Sequence, residues 1–288
     1  MPRPQRHCHE APETDCGYDA GRPAVRPVGG RYDGQGALNL SLLKFPLIVL
    51  RLICVTLWII CGLLCVGLAY PLMGQPARAR LNRFWSRRLM AFCGIRILVS
   101  GQPLLTGPVL WVANHVSWID IFVVNSVRAT AFVAKSEIRS WPLIGWLAAG
   151  AGTIFIERGQ RHAVHAIGEA VQVRFQQGEA VGLFPEGTTS EGDTVRPFHA
   201  SLFEPARAAC IPIQPVVLRF LQHGQRSPLA AFVGEETLAA NLWRVLGATG
   251  LAVEIEFVTP LADQAPDGAP LTRLEISKLA RTAIAQRL

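Results

Sequence analysis

Hydrophobic positions fall along this chain in two regimes. Residues 52–70 read LICVTLWIICGLLCVGLAY, with no charge among them. A helix crosses a bilayer core with about 20 such residues. Residues 45–50 extend the run, and Lys44 and Arg51 are expected to snorkel at its end. From residue 95 onward the apolar runs are short and of two kinds. Residues 95–99, 109–113, 129–134, 153–156, 181–184, 211–218 and 251–258 read as strands, rich in Val, Ile, Leu and Phe. Residues 119–127, 141–149, 161–177 and a last segment from Leu271 read as helices. The third has apolar spacing at Val164, Ile167, Val171 and Phe175 and is closed by Gly178. Strands alternating with helices predict an α/β fold: a mixed or mostly parallel sheet flanked by helices, with an N-terminal membrane helix or hairpin.

Composition fits this division. Half the residues are hydrophobic and 17% are charged, too apolar for an ordinary soluble domain, and the excess comes largely from the one long run. Residues 1–37 hold prolines, glycines and charges of both signs without an apolar period, which predicts a disordered tail. A membrane anchor with an interfacial helix is expected over 38–93 and a catalytic domain over 94–288. So long a polar leader argues against a cleavable signal peptide. Gly62, Gly67 and Pro71 keep a re-entrant or monotopic hairpin open as the alternative to a spanning helix. The net charge of +7 fits an anionic membrane surface, because Arg78, Arg80, Arg83, Arg87 and Arg88 follow the apolar run with no acid among them. The positive-inside rule expects such a cluster on the cytoplasmic side, although the leader also carries arginines, and the expected location is a bacterial inner membrane with the catalytic domain on its cytoplasmic face. Leu81, Trp85, Leu89 and Phe92 recur at helical spacing, so this helix either lies in the interface or packs on the domain. No nucleic-acid motif accompanies the charge, and no nucleic acid is expected as partner. His7-Cys8-His9 with Cys16 lacks a second ligand pair, so no metal is expected, and the seven cysteines show no disulfide spacing.

The chemistry concentrates in two short stretches. Asn114-His115-Val116-Ser117-Trp118-Ile119-Asp120 sets a histidine and an aspartate five positions apart, a poor spacing for partners on one helix. His115 is therefore expected at a strand-to-helix junction, with Asp120 in the first helical turn. An imidazole takes a proton from an alcohol near neutral pH, and a carboxylate fixes its tautomer. Ser117 reads as a helix N-terminal residue whose hydroxyl caps backbone donors. The second stretch is Phe184-Pro185-Glu186-Gly187-Thr188.

With residues 153–158 (TIFIER) between them and 211–216 (IPIQPV) after them, these stretches resemble the blocks of the glycerolipid acyltransferase family, marked by Asn-His-x4-Asp and Phe-Pro-Glu-Gly-Thr. The resemblance covers roughly residues 95–220 and rests on order and context as well as on single motifs. It implies transfer of a fatty acyl group from acyl-CoA or acyl-carrier protein to a lysolipid hydroxyl, without a cofactor. His115 would be the general base and Asp120 its orienter. Arg158, Glu186, Gly187 and Thr188 would contact substrate, with Glu186 positioning acceptor hydroxyls or the loop itself and Arg158 meeting a phosphate. The favoured acceptor is 1-acylglycerol 3-phosphate, giving phosphatidic acid. In phosphatidate-forming members the second stretch usually continues Gly-Thr-Arg-Ser, whereas here it is Gly187-Thr188-Thr189-Ser190, and threonine cannot replace an arginine's paired charged hydrogen bonds. Arg196 and His199 downstream are candidates to compensate. The change keeps a phosphorus-free acceptor, lyso-ornithine lipid, as the alternative. An inactive lipid-binding tether is disfavoured by the intact base and orienter. No Gly-x-Ser-x-Gly elbow occurs, which argues against a lipase-type hydrolase.

Overall fold

The computed structural model describes residues 34–156, 161–262, 264 and 269–288. The first two helices are α1 (Gly34–Leu64), which runs on through a π turn and a 3₁₀ turn to Leu72, and α2 (Gln75–Phe92). The sheet-bearing part follows as β1 (Arg96–Gly101), β2 (Val109–Ala113), α3 (Ile119–Val127), β3 (Thr130–Lys135), α4 (Ile144–Gly150) and β4 (Ile154–Ile156). It continues with α5 (Arg161–Gln176), β5 (Ala180–Leu183), α6 (Glu204–Ala208), β6 (Ile213–Gln222), β7 (Gln225–Arg226), α7 (Leu238–Leu246), β8 (Leu251–Phe257) and α8 (Arg273–Ala285).

The strands form one mixed sheet in the order β1-β8-β6-β2-β5-β3-β4, with the short β7 hairpinned to β6. Only β6 with β8 and β6 with β7 run antiparallel; the other neighbours are parallel. Every residue of β2 is buried, as a central strand covered on both faces requires, and its side chains divide by parity. Val109, Trp111 and Ala113 join the core shared with α2, α3 and α7, while Leu110 and Val112 join the core beneath α5, α6 and α8. The predicted strands and helices are found within a few residues of their expected bounds. Helices α6 and α7 and strand β7 come in addition, and β6 runs on to Gln222.

The sheet register sets up the functional site. Parallel β2 and β5 are adjacent, with Val112 opposite Leu183. Both signature stretches therefore leave neighbouring strand ends in step, and His115 and Glu186 each stand three residues past that matched pair.

Helix α1 is long and apolar enough to cross a membrane by length and composition, yet one of its faces packs on the rest of the protein. Ile48 and Val55 are buried, Trp58 and Trp85 exchange indole N–H bonds to each other's carbonyls at 3.0 and 3.2 Å, and Val66 lies against Gly150 of α4. Gly62 admits the Trp85 ring, since a Cβ there would come within 2.7 Å of it. Arg51 does not snorkel: its Nη1 donates to the carbonyls of Leu246 and Ala248 at 2.9 and 2.6 Å, capping the C-terminal end of α7. The opposite face leaves Leu57, Ile60, Leu64 and Leu68 exposed. The apolar stripe of α2 also turns inward. Leu89 is buried and Trp85 and Phe92 pack against the core, while Arg80, Arg83, Arg87 and Arg88 stay outside. The tail expected over residues 1–37, with His7, Cys8, His9 and Cys16, lies outside the described residues except for its last four positions, which belong to α1.

Candidate active site

Asn114 follows β2 directly and prolongs its pairing with β6 through a side chain. Its Nδ2 donates to the Leu218 carbonyl at 2.9 Å and its Oδ1 accepts from the Leu218 N–H at 2.8 Å. That double bond holds the chain where it turns out of the sheet, and the next residue is His115. Asp120 sits in the first turn of α3, wholly buried, and its Oδ2 is 2.8 Å from His115 Nδ1. The same oxygen accepts the N–H groups of Val116 at 2.7 Å and Ser117 at 2.9 Å. These N–H groups belong to the loop that leads into α3, so the carboxylate folds that loop around itself. No side chain caps α3 in the way expected of Ser117. The Ser117 hydroxyl is buried and makes no hydrogen bond among the described residues, so it neither caps α3 nor faces outward as a nucleophile would.

A carboxylate accepts, so Nδ1 carries the proton and Nε2 presents its lone pair. The His115 side chain keeps 20% of its surface exposed beside an aspartate with none. One ring face lies on Phe184 at 4.1 Å between centroids and 12° between planes, and Phe184 in turn stacks on Phe132 at 5.3 Å. Gly182 makes room for this stack, because a Cβ there would stand 2.4 Å from the Phe132 ring. With Nδ1 bonded and a face covered, the imidazole has a single orientation from which Nε2 can meet an alcohol.

Glu186 is buried and ties the two loops together. Its Oε1 accepts the His115 N–H at 2.8 Å and its Oε2 accepts the Arg196 N–H at 2.9 Å. Burial pushes its carboxyl up from the ordinary glutamate range, while those two N–H groups and the nearby charges of His115 and Arg196 pull it back. Of the two tasks expected of Glu186, the geometry gives it the loop. Gly187 follows at φ +73°, with the His199 ring close to where a side chain would stand. The Ser190 N–H closes the loop onto the His115 carbonyl at 2.8 Å. Thr188 is exposed on the loop surface, and Arg158 lies outside the described residues. Thr189, at the position where the resemblance leads to an expected arginine, donates its hydroxyl to the Phe232 carbonyl.

Phe232 belongs to a segment for which the motifs give no hint. Its N–H donates to the Val116 carbonyl at 2.9 Å, so this segment touches both signature loops. From Trp118, inside the first motif, the indole N–H reaches Asn241 of α7 at 2.9 Å. The available signal was weak: Thr237 as an N-cap before a short amphipathic run.

Comparisons with known proteins give the family of the chain. A family model described as Acyltransferase matches residues 96–219. A lyso-ornithine lipid O-acyltransferase of Pseudomonas aeruginosa is 38% identical over 198 residues, 69% of this chain and 76% of the relative. A 1-acyl-sn-glycerol-3-phosphate acyltransferase of Neisseria gonorrhoeae is 41% identical over 163 residues, 55% of this chain and 63% of the relative. Among solved structures, the 1-acyl-sn-glycerophosphate acyltransferase of Thermotoga maritima superposes with a TM-score of 0.63 over 86% of this chain and 95% of that one. At 19% identity that likeness is one of fold.

Proposed function

Because the chain belongs to the acyltransferase family, we propose that its His115–Asp120 pair moves a fatty acyl group from a thioester, acyl-CoA or acyl-carrier protein, to the free hydroxyl of a lysolipid. The observation that carries this reading is the 2.8 Å contact of His115 Nδ1 with a buried aspartate, which leaves Nε2 as the accepting atom. Nε2 takes the proton of the acceptor hydroxyl as its oxygen attacks the thioester carbonyl. Collapse of the tetrahedral intermediate breaks the C–S bond, and the imidazolium returns the proton to the leaving thiolate. Asp120 holds the imidazolium in place throughout. The thioester is already activated, so the step calls for neither a covalent enzyme intermediate nor a metal. Arg158, Thr188 and Gly187 are assigned to the substrate side of the loops, and Glu186 to holding the loops in register.

Within the lysolipids we place lyso-ornithine lipid first. Thr189 brings no charge to the site and its hydroxyl is engaged with Phe232, so the cation that usually meets a phosphomonoester is missing. The Pseudomonas relative bears the name of that acceptor. Lysophosphatidate is the second reading, favoured by the Neisseria relative, and its phosphate would fall to Arg158, Arg196 or His199.

The protein would work at a membrane surface. A helix whose inner face is docked from Ile48 to Val66 and whose outer face is apolar fits one leaflet better than a span leading away from the domain. The cytoplasmic face of a bacterial inner membrane is where both acyl donors occur. The acceptor test is a competition in membranes carrying the protein, with labelled donor and both lysolipids at equal concentration, products separated by mass. Acylated ornithine lipid should dominate. Phosphatidate as the main product would transfer the assignment to the second reading, and neither product would remove the lysolipid class.

A further inference from the structure

Trp118 and Asn241 have no part in the chemistry above, yet they are placed to control it. Asn241 is fully buried near the middle of α7, and each polar atom of its amide is engaged. Its Oδ1 accepts the Trp118 indole N–H at 2.9 Å, and its Nδ2 donates to the Ala231 carbonyl and to Glu236 Oε2, both at 2.9 Å. Trp118 lies between the base and its orienter in sequence. Ala231 adjoins Phe232, whose N–H holds the Val116 carbonyl and whose carbonyl takes the Thr189 hydroxyl. Arg244, one turn further along α7, fixes the same strap by bonds to the carbonyls of Leu229 and Ala231 and an ion pair with Glu236. One amide therefore ties α7 to the His115–Asp120 loop directly and to both signature loops through the strap. Helix α7 is itself pinned at its far end by Arg51 of the apolar helix.

We infer that Asn241 and Trp118 are positioning residues for acyl transfer, holding the loop between His115 and Asp120 at its working geometry from outside the site. A buried amide with all its bonds made is rigid, and a loop held at Val116 and Trp118 has little freedom to move His115 relative to Asp120. The inference rests on the proposed reaction, so transfer by the unaltered enzyme is the first requirement of its test.

Trp118→Phe removes the indole N–H and keeps an aromatic ring against Phe122, which Trp118 meets edge-on at 6.0 Å. Asn241→Leu removes the whole knot, and the double variant closes the cycle. Transfer is measured with both substrates varied, and rates are referred to folded protein quantified by its melting transition. Trp118→Phe should lower kcat about tenfold or more, because small displacements of reacting groups are costly, while KM for donor and acceptor stays within about twofold. The double variant should be no slower than Asn241→Leu alone, since both changes cut one connection. An unchanged kcat for folded Trp118→Phe would overturn the inference, as would losses that multiply in the double variant. No transfer by the unaltered enzyme would instead overturn the reaction.

Discussion

Replacing His115 with alanine should lower acyl transfer by about a thousandfold or more while leaving the protein folded, because general-base catalysis supplies about 10²–10⁴ and no other group stands in for it at this loop. The fold should survive because the backbone of His115 keeps its ties. Its N–H still meets Glu186 and its carbonyl still accepts from Ser190. What is lost is the ring on Phe184, a stacked contact of about 0.5–1.5 kcal/mol, together with the Nδ1 bond to Asp120, whose Oδ2 keeps the N–H groups of Val116 and Ser117; a melting curve would register both as a lowered transition. Transfer within about tenfold of the unaltered rate would show that another group takes the proton, since a loss that small falls below the range of a general base.

Asp120→Asn should be the next most damaging change, and for two reasons at once. The carboxylate oxygen Oδ2 gathers three donors, His115 Nδ1–H and the N–H groups of Val116 and Ser117, and an amide meets them only with its oxygen and without charge. The imidazolium formed during proton transfer then loses its counter-charge, and the neutral ring is free to take the other tautomer. A loss of about 10²–10⁴ in kcat is expected, in line with removal of the aspartate charge from other His–Asp pairs. The loop before α3 also exchanges charge-assisted hydrogen bonds, each worth about 1.5–3 kcal/mol, for weaker neutral ones, so the variant should melt earlier as well as work more slowly. Steady-state kinetics beside thermal unfolding checks both parts. Near-normal kcat with a lowered melting temperature would make Asp120 a structural residue only.

Much of this was legible in the residues. Residues 109–113 are apolar at every position, which is what a strand buried on both faces needs, and the first motif follows at once. The alternation of short apolar runs predicted the α/β class, and the two signatures predicted a base with its orienter. Other features depended on pairings across long stretches of chain. That Glu186 holds the N–H of His115 follows from the register of β2 against β5, which no local spacing encodes. That Thr189 bonds Phe232 depends on a strap more than forty residues downstream, for which no motif exists. Arg51 departs from its expected place for the same reason. An arginine near the end of an apolar run snorkels unless carbonyls are presented to it, and those of Leu246 and Ala248 come from the far end of the chain. Helix α7 carried a readable cap at Thr237 and apolar spacing at Leu238, Leu242 and Val245, but nine residues give a short signal. Its importance comes from Asn241, a polar residue on the apolar face of the helix whose partners Trp118 and Ala231 no local spacing names.

The central claim is that His115 activates a lipid hydroxyl and not water. The most direct test follows release of the donor thiol by the unaltered enzyme in membranes, first without and then with added lyso-ornithine lipid and lysophosphatidate. Thiol release should be slow alone, rise steeply when an acceptor is supplied, and match newly esterified lipid mole for mole. Thiol release at the same rate with or without acceptor, with free fatty acid as the product, would contradict the account and make the protein a thioester hydrolase.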